Sequence, residues 1–265
     1  MDLYTLNLKS GRVTLIAATP EYETSPSFSP DGRSIVYSAG RRGERADHLY
    51  VRDIATNRVH QITSADANDC SPKFFPDGKR IVFARDTHYN WGGLASSWGG
   101  GGSLWSINSD GSGLKRLPEN TYAFDPSISS DGKTLWWWSA DGVFTSPLDE
   151  SRAPQNIAPG DRYDAALSPR GDRIAYVTGQ YSSDLMIYVM PAKGGASVAL
   201  TQAGKECNHP VFSPNGRIIY YLVESWPGGL SDVSKYSLWQ VQANGTQPKK
   251  LAGYALFDDP LHWKL

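Results

Sequence analysis

Five times along this chain a polar turn is followed by an apolar run with almost no polar interruption. The runs are Ile35-Val36-Tyr37, Ile81-Val82-Phe83, Leu135-Trp136-Trp137-Trp138, Ile174-Ala175-Tyr176-Val177 and Ile218-Ile219-Tyr220-Tyr221. A strand with no polar alternate must be covered on both faces. One repeated sentence precedes each run. It stands as Ser25-Pro26-Ser27-Phe28-Ser29-Pro30-Asp31-Gly32-Arg33 and as Ser71-Pro72-Lys73-Phe74-Phe75-Pro76-Asp77-Gly78-Lys79. It recurs as Asp125-Pro126-Ser127-Ile128-Ser129-Ser130-Asp131-Gly132-Lys133, as Asp164-Ala165-Ala166-Leu167-Ser168-Pro169-Arg170-Gly171 and as His209-Pro210-Val211-Phe212-Ser213-Pro214-Asn215-Gly216. Each copy reads as a short strand and a tight turn, whose Gly supplies positive φ and whose Pro presets the entry. Arg170-Gly171 and Asn215-Gly216 keep the Gly without the Asp, so the Asp reads as the more dispensable of the two.

Behind each apolar run comes an alternating segment, a short turn and a further brief strand, as in residues 48–54 and 58–63. The unit is therefore four strands, A to D, and no helix-period segment interrupts them. The turn glycines stand at 32, 78, 132, 171 and 216, giving intervals of 46, 54, 39 and 45 residues. That is the length of a four-stranded propeller blade. The predicted fold is all-β, a six-bladed β-propeller of four-stranded blades in one domain over residues 1–265. The predicted blades run from about 22–63, 69–117, 122–157, 161–201 and 206–251, with 255–265 joining 1–16 as the sixth. In that last blade the N-terminal residues supply strands C and D and the C-terminal residues supply strand A, a closure that removes the open sheet edge. Nothing supplies its strand B. Either that blade has three strands or upstream residues were removed, and Met1 standing directly before strand C favours removal.

Composition narrows the class. Apolar residues at 40% and aromatics at 12% suffice for a core, and a formal net charge of −1 argues against phosphate-driven nucleic-acid binding. No run of about 18 apolar residues predicts a membrane span, and no leader precedes the first strand. Cys70 and Cys207 fall in opposite units of the ring, so free thiols are expected rather than a disulfide across it.

The repeat Pro-x-Phe-Ser-Pro-Asp-Gly-Arg/Lys-x-Ile-Val-Tyr, with Leu-Tyr-x-x-Asp/Asn and x-x-Leu-Thr behind it, resembles the WD40-like PD40 repeat of the TolB propeller family. Five clear copies and one split copy cover essentially the whole chain. The resemblance implies a six-bladed propeller, bacterial, in the periplasm or cell envelope. Members of that family bind partners, gate serine peptidases or, less often, act on sugars. The additional N-terminal domain of TolB has no counterpart here, which sets the chain apart from TolB proper. The peptidase branch needs a Gly-x-Ser-x-Gly elbow, and the sequence contains no such pentapeptide.

Propeller topology turns this pattern into faces. D–A and B–C connections emerge on one rim, while A–B and C–D turns emerge on the other, which as short Gly turns offers little. Irregular loops on a rigid scaffold are where binding concentrates. Two long B–C loops, in the second and fifth units, carry His88, Tyr89, Trp91 and Trp98, and Trp226. These aromatics are expected to stack on a sugar or grip a peptide, or else to plug the channel mouth. Arg41, Arg42 and Arg45 share that rim and suit an acidic partner or simple solvation. The residue before each strand-A proline, or its equivalent, forms a ring of Ser25, Ser71, Asp125, Asp164, His209 and Asp259. Asp125, Asp164, His209 and Asp259 are candidate ligand-binding residues. No cofactor is expected; the same four residues are the candidates for a divalent cation in the channel, but Asp capping its own turn and His209 as a polar channel residue are the favoured reading. Trp136, Trp137 and Trp138 are expected in the inter-blade core.

The reading that follows is a monomeric, non-catalytic propeller recognising a protein segment or a small ligand such as a glycan at the D–A/B–C mouth. The alternative is a metal-assisted, sugar-acting lyase or hydrolase at the same mouth.

Overall fold

A computed structural model describes residues 3–17, 23–40, 46–86, 102–119, 122–179, 184–225 and 235–252. Among them are 22 strands and no helix. The first two, β1 (Leu3–Leu6) and β2 (Val13–Ala17), form an antiparallel pair. The next four make one antiparallel sheet: β3 (Glu23–Phe28), β4 (Ser34–Gly40), β5 (Asp47–Asp53) and β6 (Val59–Gln61). The second sheet is β7 (Asn68–Phe74), β8 (Arg80–Asp86), β9 (Ser103–Asn108) and β10 (Lys115–Arg116). The third is β11 (Phe124–Ile128), β12 (Thr134–Ser139), β13 (Gly142–Pro147) and β14 (Gln155–Pro159). The fourth is β15 (Tyr163–Leu167), β16 (Arg173–Thr178), β17 (Met186–Pro191) and β18 (Val198–Ala199). The fifth is β19 (Glu206–Phe212), β20 (Ile218–Ser225), β21 (Lys235–Gln242) and β22 (Lys249–Ala252).

Each sheet keeps sequence order from one edge to the other, so these are propeller blades with strands A to D in line. Five are complete. The pair β1–β2 stands where strands C and D of a sixth were expected. The C-terminal strand predicted to close it, Asp259 included, lies outside the described residues.

The chain divides into two compact units, one mainly residues 1–135 and the other mainly 136–260. In the first, one core cluster joins Val36, Leu49, Val51 and Ile62 of the first blade to Ile81, Phe83 and Ile107 of the second. In the second, Val177, Ile187 and Val189 of the fourth blade meet Ile219, Tyr221 and Val241 of the fifth. Blade faces therefore pack on blade faces, which is why strand B tolerates no polar alternate. Each fully buried Ile, Leu or Phe here is worth roughly 1.5–3 kcal/mol relative to exposure. Trp136, Trp137 and Trp138 are all buried as expected, Trp137 with its ring 5.6 Å from that of Phe144.

In each A–B turn the glycine N–H bonds the carbonyl three residues back, as from Gly32 to Ser29 at 2.9 Å and Gly216 to Ser213 at 2.8 Å. All five turn glycines have φ between 67° and 72°. The Asp of the turn is less dispensable than its absence from two copies suggests. Asp31 accepts from Ser29 Oγ at 2.6 Å and from Arg33 N–H at 3.0 Å. Asn215 takes the same two bonds from Ser213 Oγ and Arg217 N–H. In the fourth blade Asp172, one residue beyond the Gly, accepts from Ser168 Oγ at 2.7 Å. The serine hydroxyl demands an acceptor, and the sequence supplies it from either side of the Gly.

Candidate functional site

Strand A is the edge strand of every blade, and proline inside it has no N–H for the ladder. Strand A carries a bulge at this point, also in the fourth blade, where Ala165 stands in place of the proline. Register shifts fall between Thr24 and Ser27, Cys70 and Lys73, Tyr163 and Ala166, and Asn208 and Val211. The residue entering the bulge is the one before the proline or its equivalent. Ser25, Ser71, Asp125, Asp164 and His209 have φ of 49°, 51°, 43°, 48° and 51°. Left-handed backbone is uncommon outside glycine, and Asp, Asn and His are enriched there. The polar identity of these positions is thus set partly by the backbone. The sequence offered one signal for it, the proline within strand A, in four of the five blades.

The bulges fall within strand A, at its midpoint in the second and fifth blades, and strand A begins where strand B ends, since Asn68 pairs with Asp86 and Glu206 with Glu224. The B–C connections leave from the same edge.

In the second unit the structure brings two of the candidates together. His209 donates its main-chain N–H to Asp164 Oδ2 at 3.2 Å, and its Nδ1 lies 3.2 Å from the same oxygen. Both side chains keep 19% of their exposure, so the pair is shielded yet reachable. A carboxylate on Nδ1 fixes the imidazole tautomer and leaves Nε2 for an incoming group.

In the first unit the bulge residues are more enclosed: Ser71 is 1% exposed and Asp125 5%. Ser71 Oγ is buried without a hydrogen-bond partner. Just before this bulge lies a buried ion pair that the sequence reading passed over. Arg85 grips Asp69 in bidentate fashion, Nε to Oδ1 at 2.6 Å and Nη2 to Oδ2 at 2.9 Å. The guanidinium also lies 5.4 Å from the Phe83 ring and 5.2 Å from Trp105. Cross-strand register sets this contact, because Asp69 stands directly opposite Arg85.

Neighbouring residues hold the feet of the second blade's B–C connection. Tyr122 Oη donates to Asp86 Oδ2 at 2.9 Å, and burial together with that bond pushes the phenol well above its ordinary pKa. Gly102 and Ala123 exchange main-chain bonds at 2.9 and 3.0 Å. A Cβ on Gly102 would stand 2.2 Å from the carbonyl oxygen of Arg85, so only glycine fits there.

His88, Tyr89, Trp91, Trp98, Trp226 and Asp259, together with Arg41, Arg42 and Arg45, lie outside the described residues. Among the described residues no three His, Cys, Asp or Glu side chains are grouped to hold a metal ion, and no helix is long and apolar enough to cross a membrane. Cys70 and Cys207 remain buried thiols.

The family model described as PD40, TolB beta propeller domain, matches residues 1–144, more than half of the chain. No curated protein matches in sequence. Among solved structures the chain is similar to TolB from Acinetobacter baumannii, at 20% identity and a TM-score of 0.74, covering 92% of this chain and 58% of that one. It therefore spans little more than half of that protein. A putative TolB from Agrobacterium tumefaciens is 16% identical with a TM-score of 0.75, covering 96% of this chain and 91% of that one. An oligogalacturonate lyase in complex with manganese is 12% identical with a TM-score of 0.61, covering 95% and 72%. At such identities the likeness is one of fold.

Proposed function

The chain belongs to the PD40 family of TolB beta propeller domains, and on that premise we propose that it is a non-catalytic binding module of the bacterial cell envelope. Its ligand is a polypeptide segment or a glycan, taken at the edge of the blades where strand A begins and the B–C connections leave. The observation that supports this is the bulge row itself. In each of the five blades the corresponding strand-A residue occupies left-handed backbone, and three of these, Asp125, Asp164 and His209, carry an ionisable group. Strained conformations repeated at one edge are a recurrent mark of sites for recognition. The fixed feet of the second blade's B–C connection support the same edge, since a loop that must grip a ligand binds better from pre-ordered ends.

A glycan and peptide array names the ligand class, followed by titration of the best hit against His209→Ala and Asp164→Asn. About tenfold or greater weakening in both is expected, with the far-ultraviolet spectrum unchanged. Equal affinity for both variants and wild type would remove the bulge edge from consideration.

The second reading is metal-assisted action on a sugar. What favours it is the Asp164–His209 contact, which has the form of a carboxylate orienting a metal-ligating imidazole. A stoichiometric transition metal in purified protein, lost in His209→Ala, would establish that reading over the first.

A further inference from the structure

The turn rim holds a cleft of about 740 Å³ between the first and second blades, in the size range of small-ligand sites. Its origin can be read by comparing this junction with the one between the fourth and fifth blades. The two junctions share a register. At one, a Cβ on Gly78 would meet Pro30 Cδ at 3.7 Å; at the other, a Cβ on Gly216 would meet Pro169 Cδ at 3.6 Å. Gly78 and Gly216 have φ of 67° and 68°. Phe74 and Phe212 hold the same place at the end of strand A, four residues before these glycines.

What differs is one side chain. At the fourth junction Arg173, first residue of strand B, sends Nη2 to the carbonyl oxygen of Gly216 at 2.5 Å and lies 5.4 Å from the Phe212 ring. Its guanidinium fills the notch. The residue in that position of the first blade is Ser34, too short to reach. The Phe74 face and the Gly78 turn are left lining open space instead.

The surroundings of this vacant notch suit the same group. Ser34 stands directly across the ladder from Asp53, and the carboxylates of Asp31 and Asp53 both border the cleft. Each uses Oδ1 to hold its own turn, Asp31 through Ser29 and Arg33 and Asp53 through Thr56. Oδ2 of each remains for a planar donor, and guanidinium is the planar donor that matches carboxylates and aromatic faces together. Arg58 shares the lining and acts on Asp53, which leaves Asp31 as the carboxylate for a second guanidinium. His60, also in the lining, is engaged through Nε2 with the Ser109 carbonyl at 2.8 Å.

We propose that the cleft between the first two blades is a receptor for an arginine side chain of a partner polypeptide, whose guanidinium stacks on Phe74 and bonds the Gly78 carbonyl as Arg173 does internally one half-chain away. This site is separate from the bulge edge and stands or falls apart from it.

The test uses the tripeptide acetyl-Ala-Arg-Ala-amide, with its lysine and citrulline counterparts as controls, titrated into the whole chain and followed by amide chemical shifts. Saturable shifts of the Gly78 and Ser109 amides are expected with the arginine peptide, at least about tenfold weaker binding with either control, and loss of binding in Ser34→Arg, where the chain fills its own notch. Arg173→Ala should open the equivalent notch and raise the stoichiometry from one to two. The proposal is overturned if the Gly78 and Ser109 amides do not move, if lysine or citrulline peptide binds as well as arginine, or if Ser34→Arg binds as the parent does. Because Ser34→Arg places the new charge opposite Asp53, the variant should fold, and an unchanged amide spectrum elsewhere verifies that.

Discussion

Asp164 and His209, forty-five residues apart, occupy the same bulge position in neighbouring blades, and one carboxylate oxygen of the first stands 3.2 Å from both the main-chain nitrogen and Nδ1 of the second. The sequence repeat is thereby converted into a lateral tie between edge strands that make no ladder with each other.

That tie sets the first prediction. Asp164→Ala removes both contacts and should lower unfolding free energy by about 1–2 kcal/mol in urea titrations, the usual worth of partly shielded polar bonds. His209→Asn should be tolerated better than His209→Val, because Asn accepts left-handed backbone and a β-branched residue does not. Equal midpoints for Asn and Val would show that the positive φ of 51° carries no energetic weight.

Arg85 and Asp69 provide the second. Removing Asp69 alone strands a buried guanidinium, and Asp69→Ala should cost about 3–5 kcal/mol. Replacing both partners with apolar residues, as in Asp69→Leu with Arg85→Met, should cost far less than the single change. The comparison is made by denaturant unfolding of the three proteins. A double variant as unstable as Asp69→Ala would mean that the pair contributes through its fit to Trp105 rather than through charge compensation.

Gly102 supplies the third. Gly102→Ala drives a methyl to within 2.2 Å of the Arg85 carbonyl oxygen, and backbone cannot yield as a side-chain tip can. A loss of about 1–3 kcal/mol is expected, the range for overpacking. The accompanying sign is faster hydrogen exchange at the amide of Ala123, whose N–H bonds the Gly102 carbonyl at 3.0 Å. Unchanged exchange there would separate any stability loss from the feet of the connection.

Much of this architecture was legible in the chain because its strongest signals are physical necessities. Strand B reads as continuous apolar residues since two blades cover it, and the turn glycines mark the blades since φ near 70° favours glycine. The bulge was hidden because nothing in the repeat besides the proline hints at a break in the ladder, and the fourth blade bulges at Asp164-Ala165 without one. The Asp69–Arg85 pair was hidden for another reason: sixteen residues of sequence say nothing about which side chains face each other until register is known. The notch at Ser34 is subtler still, being visible only when one junction is laid against another. The turn rim, read as featureless from its short Gly turns, carries that cleft.

The A–B turns give a prediction in acid. The Ser29 hydroxyl and then the Arg33 N–H hold the Asp31 carboxyl below its ordinary range. A carboxyl depressed on folding contributes stability above its unfolded pKa and loses it as pH falls through the folded value, so the window lies below about pH 4. Ser29→Ala should move the Asp31 titration, followed by its carboxyl carbon resonance, back towards the ordinary value. It should also flatten the acid limb of the unfolding curve. The exposed position keeps the effect small, and an unmoved resonance would assign the shift to Arg33 instead.

Cys70 and Cys207 close the set. Burial pushes both thiols up; the carboxylates of Asp69, Asp125, Asp47 and Asp86 add to the effect at Cys70, and Cys207 reaches about 11. The nucleophile in disulfide exchange is the thiolate, so at pH 8 only about one Cys207 in a thousand is competent, and access is closed as well. Cys70 is further engaged through Sγ with the Ala84 carbonyl at 3.5 Å. An aromatic disulfide reagent should therefore titrate neither thiol over the minutes in which an exposed cysteine is consumed. It should titrate both of the chain's two cysteines after guanidinium is added. Reaction of native protein at the rate of the denatured chain would mean that these strands open locally on that timescale, and the packing of strands β7 and β19 against their neighbours would have to be reconsidered.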